Sequence, residues 1–246
     1  MSAQFSQVDG RDYLETTLTS GLSVDVWKMM TYWTKREADG GGMVEVEVEA
    51  LSESNYMRGE LDSLDQPSHI LKYNDDGQIG QNTGTGALAQ NVWAFRAVIA
   101  EGSAPFCTLK GYIDGTSNSR SYGSGDPGGV QDLTIVYIGN GNNRNQFTRM
   151  EGKIADVALW LPSDLSNADS IASQLYNSGN GKRADNIAAA NPVAHWTLTD
   201  TDQYTALTGP NLADADIYSP TWSSDHPTLQ APSGGVSTVQ HVGHFV

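Results

Sequence analysis

The sequence predicts an all-β sandwich, and three observations carry that prediction. Composition is the first: six Trp, ten Tyr and five Phe supply bulky burial, while 26 Gly with many Asn, Asp and Ser supply turns, the balance of many short strands. The second is strict alternation, in which Val44, Val46 and Val48 interleave with Glu45, Glu47 and Glu49. Third, in residues 152–179, GKIADVALWLPSDLSNADSIASQLYNSG, a period-two apolar run stops at a proline and gives way to helical spacing. At 246 residues the chain is long enough for one large β-sandwich.

Residues 1–15 read as a first strand region, and residues 22–33 as one or two strands in which Leu22, Val24 and Val26 alternate with Ser23, Asp25 and Trp27. The run KREADGGG at 35–42 turns the chain, because consecutive glycines accept positive φ and weaken any regular element. In the next strand the three valines face the core and the three glutamates face outward. Residues 77–90 and 115–129 are long Gly-, Ser- and Asn-rich stretches that read as loops, of a length that marks mobility or function. NGNNRN at 140–145 reads as a tight turn between antiparallel strands. At 153–160, Ala155, Val157 and Leu159 point one way, and Ile154, Ala158 and Trp160 the other with Asp156. Both faces are apolar, so this strand is expected between two layers. Pro162 ends its ladder, Ser166 or Asn167 caps a helix over 167–177 with apolar Ile171, Ala172, Leu175 and Tyr176, and Gly179 ends it. Trp27, Trp93, Trp160 and Trp196 alternate with aliphatic residues and read as core. Beyond Thr199 the periodicity fades and Pro210, Pro220, Pro227 and Pro232 punctuate an extended arm, which pairs with the sandwich edge or with a neighbouring subunit.

A formal charge of −15, from 29 acidic against 14 basic residues, repels phosphate backbones and anionic membrane surfaces. Neither nucleic acid nor membrane is therefore an expected partner, and no run of apolar residues is long enough to cross a bilayer. The single cysteine, Cys107, excludes an intrachain disulfide and reads as a small buried hydrophobe. The start, MSAQFSQVDGRDY, has neither a basic leader nor an apolar stretch, from which a chain that begins near Met1 and folds in a cytoplasm is expected.

Seven segments recur in a telling order: DYLE at 12–15, LSVDVW at 22–27, WAFRAVI at 93–99, LKGYIDG at 109–115, LTIVYIGNG at 133–141, the strand, corner and helix of 152–179, and VAHWTL at 193–198. In order and spacing they resemble the laminin-G-like domains of the concanavalin A-like lectin and glucanase superfamily, over roughly residues 5–200. PTWSSDHPTL at 220–229 resembles the tail that follows such domains in structural proteins of tailed bacteriophages and prophages. The resemblance implies a two-sheet antiparallel jelly roll over residues 1–200 with one short helix, and a C-terminal extension over 201–246 packed on the sandwich or on a neighbour. It also implies a non-enzymatic structural protein of a tailed-phage virion, decorating the capsid or attached to the tail. Such a protein is made in the bacterial cytoplasm, partnered by other virion proteins and homo-oligomeric in the assembly. The alternative it implies is a carbohydrate-binding lectin-like module that adheres to cell-surface glycan, with calcium as its cation.

Glucanases of this superfamily place their acid and nucleophile in an E-x-D-x-x-E pattern on one strand face. Here E-V-E-V-E lacks both the central Asp and the final spacing, so Glu45, Glu47 and Glu49 read as a solvated face. His69, His195, His226, His241 and His244 show no zinc-ligand spacing, no G-x-S-x-G elbow is present, and no enzyme activity or organic cofactor is expected. A rim calcium, as the resemblance implies, needs six to eight oxygens; Asp75 and Asp76 beside Asn74, with Asp114 and Asn142 beside Asn143, are the candidate ligands, though the same residue types are ordinary in turns. Glycan contact needs exposed rings and hydrogen-bonding side chains, for which Tyr112, Tyr122 and Trp222, with Asp126, are the candidates.

Overall fold

The computed structural model describes residues 2–5, 13–23, 26–38, 42–50, 55–73, 78–83, 86–103, 106–123, 132–140, 150–187, 190–198, 216–218 and 221–230. Its strands are β1 (Ser2–Phe5), β2 (Tyr13–Leu22), β3 (Lys28–Arg36), β4 (Met43–Glu49), β5 (Tyr56–Leu61), β6 (Pro67–Tyr73), β7 (Gln78–Thr83) and β8 (Ala94–Ser103). They continue with β9 (Phe106–Ile113), β10 (Thr116–Gly123), β11 (Leu133–Ile138), β12 (Gly152–Trp160), β13 (Ala194–Trp196), β14 (Asp216–Tyr218) and β15 (Thr221–Ser223). One helix, α1 (Leu165–Tyr176), follows β12. The strands form two antiparallel sheets, in the orders β10-β9-β8-β3-β12-β1-β15, with β13 also on β12, and β14-β2-β11-β4-β5-β6-β7. This is the two-sheet sandwich that the alternation and composition predict.

Between the sheets lie Phe5, Leu14, Tyr32, Val46, Val48, Met57, Val98, Leu109, Val136, Val157 and Trp196, all buried. A second cluster covers the other face of the first sheet, where Ile171, Ala172 and Leu175 of α1 meet Met29, Trp33, Phe95, Ala158 and Trp160. Burying each of the larger side chains contributes about 1.5–3 kcal/mol, so α1 is held chiefly by this face. β12 is thus covered on both sides. Its inward and outward residues nevertheless differ from simple alternation: Ile154 and Val157 face the other sheet, while Ala155 and Ala158 face the helix. A bulge between Ala155 and Ala158 inserts one residue, and Asp156 takes it up at φ 52°.

A bulge also corrects the reading of the three glutamates. The β4–β5 register shifts between Val44 and Val46, which turns Glu45 inward. There it is fully buried, accepting a hydrogen bond from Tyr32 Oη at 2.8 Å and pairing with Arg96 Nη1 at 2.7 Å. Glu47 and Glu49 stay on the outer side of the second sheet but are 0% and 2% exposed rather than solvated. Arg58 donates to Glu47 and lies over the Tyr56 ring at 4.4 Å.

Other expectations need adjustment. Within 77–90 and 115–129, read above as loops, the chain forms strands β7 and β10, the edge strands of the two sheets at the same end of the sandwich. Their Gly-, Ser- and Asn-rich sequences concealed them, and residues 116–119 of β10 are exposed on both faces, so no apolar alternation marks that strand. Val26 is exposed at a bend between β2 and β3 instead of lining the core. The helix cap is Asp164, earlier than Ser166 or Asn167: its Oδ1 accepts from Asn167 N–H at 2.8 Å, and Asn167 Oδ1 accepts from Ser163 N–H at 3.2 Å. Asn177, at φ 46°, ends the helix two residues before Gly179. At the opposite end of the sandwich β14 pairs with β2 and β15 with β1, so residues of the C-terminal extension border both sheets. The 140–145 turn falls largely outside the described residues, as does the side chain of Cys107.

Candidate functional site

A cavity of about 420 Å³ opens beside the edge strand β10, lined by His69 of β6, Gly111 and Ile113 of β9, Asp114, and Thr116, Ser117 and Asn118 of β10. The β9–β10 hairpin builds most of it. Asp114 and Gly115 form a two-residue turn with both φ values positive, 47° and 78°, as a tight hairpin requires. At Gly115 an added β-carbon would also sit 2.7 Å from the Tyr176 ring, so the turn is packed on α1. The Phe95 N–H donates to Asp114 Oδ1 at 2.8 Å, and Asp114 N–H donates to Phe95 O at 3.1 Å, which ties the hairpin tip to β8. Burial pushes the Asp114 carboxyl above the usual carboxylate range, against the lowering effect of the Phe95 N–H and Arg96. Register sets Thr116 opposite Ile113 and Asn118 opposite Gly111, so these exposed polar residues share a face with the buried ones.

His69 crosses from the second sheet and its ring occupies the space above Gly111, where any β-carbon would overlap it. Its Nε2 lies 3.3 Å from Arg96 Nη2. That guanidinium is fully buried, and it donates to Ser68 O at 3.2 Å and Glu60 O at 3.3 Å besides pairing with Glu45. A buried ion pair is costly unless surrounded by further polar contacts, and these carbonyls together with Tyr32 Oη provide several. Glu45 Oε1 and Arg96 Nε are buried without a protein hydrogen-bond partner. The cavity wall therefore combines hydroxyl, amide, carboxylate and imidazole groups with a small apolar surface, and a charged cluster stands behind His69.

Of the residues singled out from sequence, Asp114 lies in this cavity. Tyr112 faces the helix layer instead, 9% exposed, with its hydroxyl donating to Asp169 Oδ1 at 2.8 Å, which leaves little ring face for a ligand. Tyr122 lies in β10 and Trp222 in β15, with their side chains outside the described residues. Asp75, Asp76, Asp126 and Asn142 also lie outside them. Among the described residues no three His, Cys, Asp or Glu side chains converge as a metal site would require. Sequence reasoning did not assign His69, Thr116, Ser117 and Asn118 to a site. The available signal was the D-G pair at 114–115, which announces a hairpin and so makes the following residues a strand.

No protein-family model matches the sequence, and no curated protein matches it. Solved structures do. Mouse laminin α1 chain domains LG4–5 align at 12% identity and a TM-score of 0.51, over 64% of this chain and 41% of that one. A heptameric SAP-like pentraxin from Limulus polyphemus aligns at 11% identity and a TM-score of 0.55, over 88% of this chain and 94% of the pentraxin. A Bacteroides ovatus protein described as carbohydrate-binding aligns at 15% identity and a TM-score of 0.55, over 95% of this chain and 61% of that one. The chain thus spans less than two thirds of the laminin and Bacteroides chains. These similarities identify the fold as the concanavalin A-like, laminin-G-like jelly roll.

Proposed function

We propose that this chain is a non-enzymatic, carbohydrate-binding module of lectin type, with its sugar held in the cavity between β6 and the β9–β10 hairpin. The lining carries the reading: a concave site of this size, with Asp114 at the turn and Thr116 and Asn118 on one face of β10 offering polar groups beside Ile113, suits a polyhydroxylated ligand of one or two rings. The fold's likeness to the Bacteroides ovatus protein supports it. Binding rather than hydrolysis is favoured because Asp114 is the lone carboxylate among the described lining residues, and a glycosidase needs two facing each other. Glu45 does not supply the second, being engaged by Arg96 and Tyr32.

The test is capture by a glycan array, with and without a calcium chelator, using the chain and a Thr116→Ala, Asn118→Ala variant. Both positions are exposed, so the fold should survive. Losing two hydrogen bonds should weaken capture by about tenfold or more. An array that retains nothing, or a variant that binds as the parent does, overturns the proposal. Loss of capture on chelation would add calcium to the site.

The setting we propose is a tailed-phage particle, supported by the resemblance of residues 220–229. Particles assembled without this chain should then lack a decoration or a tail component and bind host glycan less well. Particles indistinguishable from the parent would remove the virion role and leave the sugar site standing. Light scattering on the isolated chain tests the homo-oligomer.

A further inference from the structure

We propose that Lys35, Lys153 and Trp93 form a second ligand site, for the carboxylate of an acidic sugar, and that Asp225 fills it as a displaceable stand-in. Strand register builds the site. Lys153 of β12 lies directly opposite Lys35 of β3, and Trp93 precedes Ala94, the partner of Thr34, so the three stand in one row across neighbouring strands. Lys35 is two residues from Trp33 on β3 and so shares its face, the outer face of the first sheet. Like charges directly opposite each other in an antiparallel pair repel, so two facing lysines require an anion. Glu37 supplies one, 2.6 Å from Lys153 Nζ, and its other oxygen accepts from Gln4 Nε2 at 3.2 Å. That leaves one positive charge to be matched, and Lys35 pairs with Asp225.

The Asp225 carboxylate is received as a ligand's would be. Its Oδ2 accepts from Lys35 Nζ at 2.6 Å and Lys153 Nζ at 2.9 Å, and its Oδ1 accepts from Trp93 Nε1 at 3.1 Å. Both oxygens are thus held, one of them by two charge-assisted bonds. The lysine side chains are 14% and 10% exposed against 39% for the aspartate, so the donors are inset and the anion sits at the mouth. The backbone that carries the anion is fixed separately: Ser2 Oγ donates to Asp225 O, β15 pairs with β1, and Gln230 N–H donates to Gly181 O at 2.9 Å. Rotation of one side chain into another staggered position therefore opens the site while the segment stays in place. The half-buried Trp93 ring, next in sequence to the exposed Val92, adds apolar surface for a sugar ring to pack on. A carboxylate receptor beside an aromatic surface favours an acidic sugar over a simple anion. None of these residues lines the cavity between β6 and the β9–β10 hairpin, so the two sites stand or fall separately.

Two measurements on the full chain test the site. In Asp225→Ala a carboxylate from solution should take the place of the lost one. At neutral pH and equal ionic strength, sodium acetate in place of sodium chloride should raise the melting temperature of this variant by about 2–4 °C more than it raises that of the parent. Adding Lys35→Met should remove the excess. An equal response in variant and parent, or an excess that survives Lys35→Met, overturns the receptor. The other measurement leaves Asp225 in place. In NMR titrations of the parent at constant ionic strength, the Trp93 indole N–H signal, assigned by its loss in Trp93→Phe, should shift and saturate with D-glucuronate in the range of about 1–100 mM. It should stay still with D-glucose, and sodium acetate should act only at roughly tenfold higher concentration. A still signal with glucuronate, an equal shift with glucose, or acetate acting as well as glucuronate overturns displacement by an acidic sugar. The Thr116→Ala, Asn118→Ala variant should respond to glucuronate as the parent does, whether or not it retains glycan on the array; a lost response would overturn the assignment to this site.

Discussion

A β-carbon on Gly111 would overlap the His69 ring, and one on Gly59 would overlap the Tyr32 hydroxyl, so two glycines in facing sheets make room for the same buried polar cluster. Gly111→Ala should therefore cost about 1–3 kcal/mol, the usual range for overpacking. Chemical denaturation checks this, and glycan capture should fall with it because the ring has to enter the cavity. A variant as stable as the parent would mean that His69 shifts freely, against the packing described. Asp156 supplies a second residue-scale prediction. Its carboxylate meets His195 Nε2 at 2.8 Å and accepts Ala184 N–H at 3.0 Å, all three residues being buried. Asp156→Ala would strand both partners and should destabilise the fold by roughly 2–4 kcal/mol, with His195→Phe costing less because it removes one donor and fills its space. Equal losses in the two variants would argue that the imidazole, rather than the carboxylate, is the anchor.

At the scale of single elements, α1 combines a marginal length with a good cap and one apolar face. Asp164→Ala removes the Asn167 N–H acceptor and should lower stability by about 1 kcal/mol without changing the fold, as measured by urea midpoint at constant m value. The helix was legible because 3.6-residue spacing, a proline before it and a glycine after it all agree. β12 was legible as a strand covered on two sides, but its bulge was hidden: nothing in I-A-D-V-A announces that Asp156 takes a positive φ, and the consequence was a swapped face for Ile154 and Ala155. E-V-E-V-E concealed its bulge in the same way, and burial of Glu45 depends on partners, Arg96 and Tyr32, that lie on other strands. β7 and β10 were missed for a different reason. Residues 116–119 of β10 are exposed on both faces of the strand, which leaves no apolar alternation to read. The cavity stands between β6 and the β9–β10 hairpin, so the part of the site that sequence could supply was Asp114 at its turn.

The molecule as a whole is closed by its C-terminal segment. β14 lies beside β2 and β15 beside β1, and Asp225 then gathers Lys35 Nζ at 2.6 Å, Lys153 Nζ at 2.9 Å and Trp93 Nε1 at 3.1 Å. Ser2 Oγ donates to Asp225 O at 2.6 Å, which joins the first strand to the last. The hydrogen bonds from Lys35 and then Lys153 hold the Asp225 carboxyl far below the usual carboxylate range. Burial alone would lower Lys153, but its bonds to Glu37 and Asp225 outweigh that and raise it.

The two shifts fix the sign of the pH dependence. A carboxylate whose folded pKa lies below its unfolded value, about 3.9, stabilises the fold above that pH and loses the contribution as acid protonates it. For a lysine raised above about 10.4 the contribution is whole below that pH and fades as alkali removes its proton. The carboxylate is 39% exposed on its side chain, so solvent screening reduces the effect from what the shift alone suggests. Asp225→Asn should thus melt below the parent at neutral pH, and the gap should narrow as both are taken toward about pH 2, where the parent's own carboxylate is losing its charge advantage. Melting curves over that range decide the matter. A gap of constant size would mean that the segment is held by the β14 and β15 ladders and not by charge, in which case truncation before β14, rather than Asp225→Asn, would be the change that opens the sandwich.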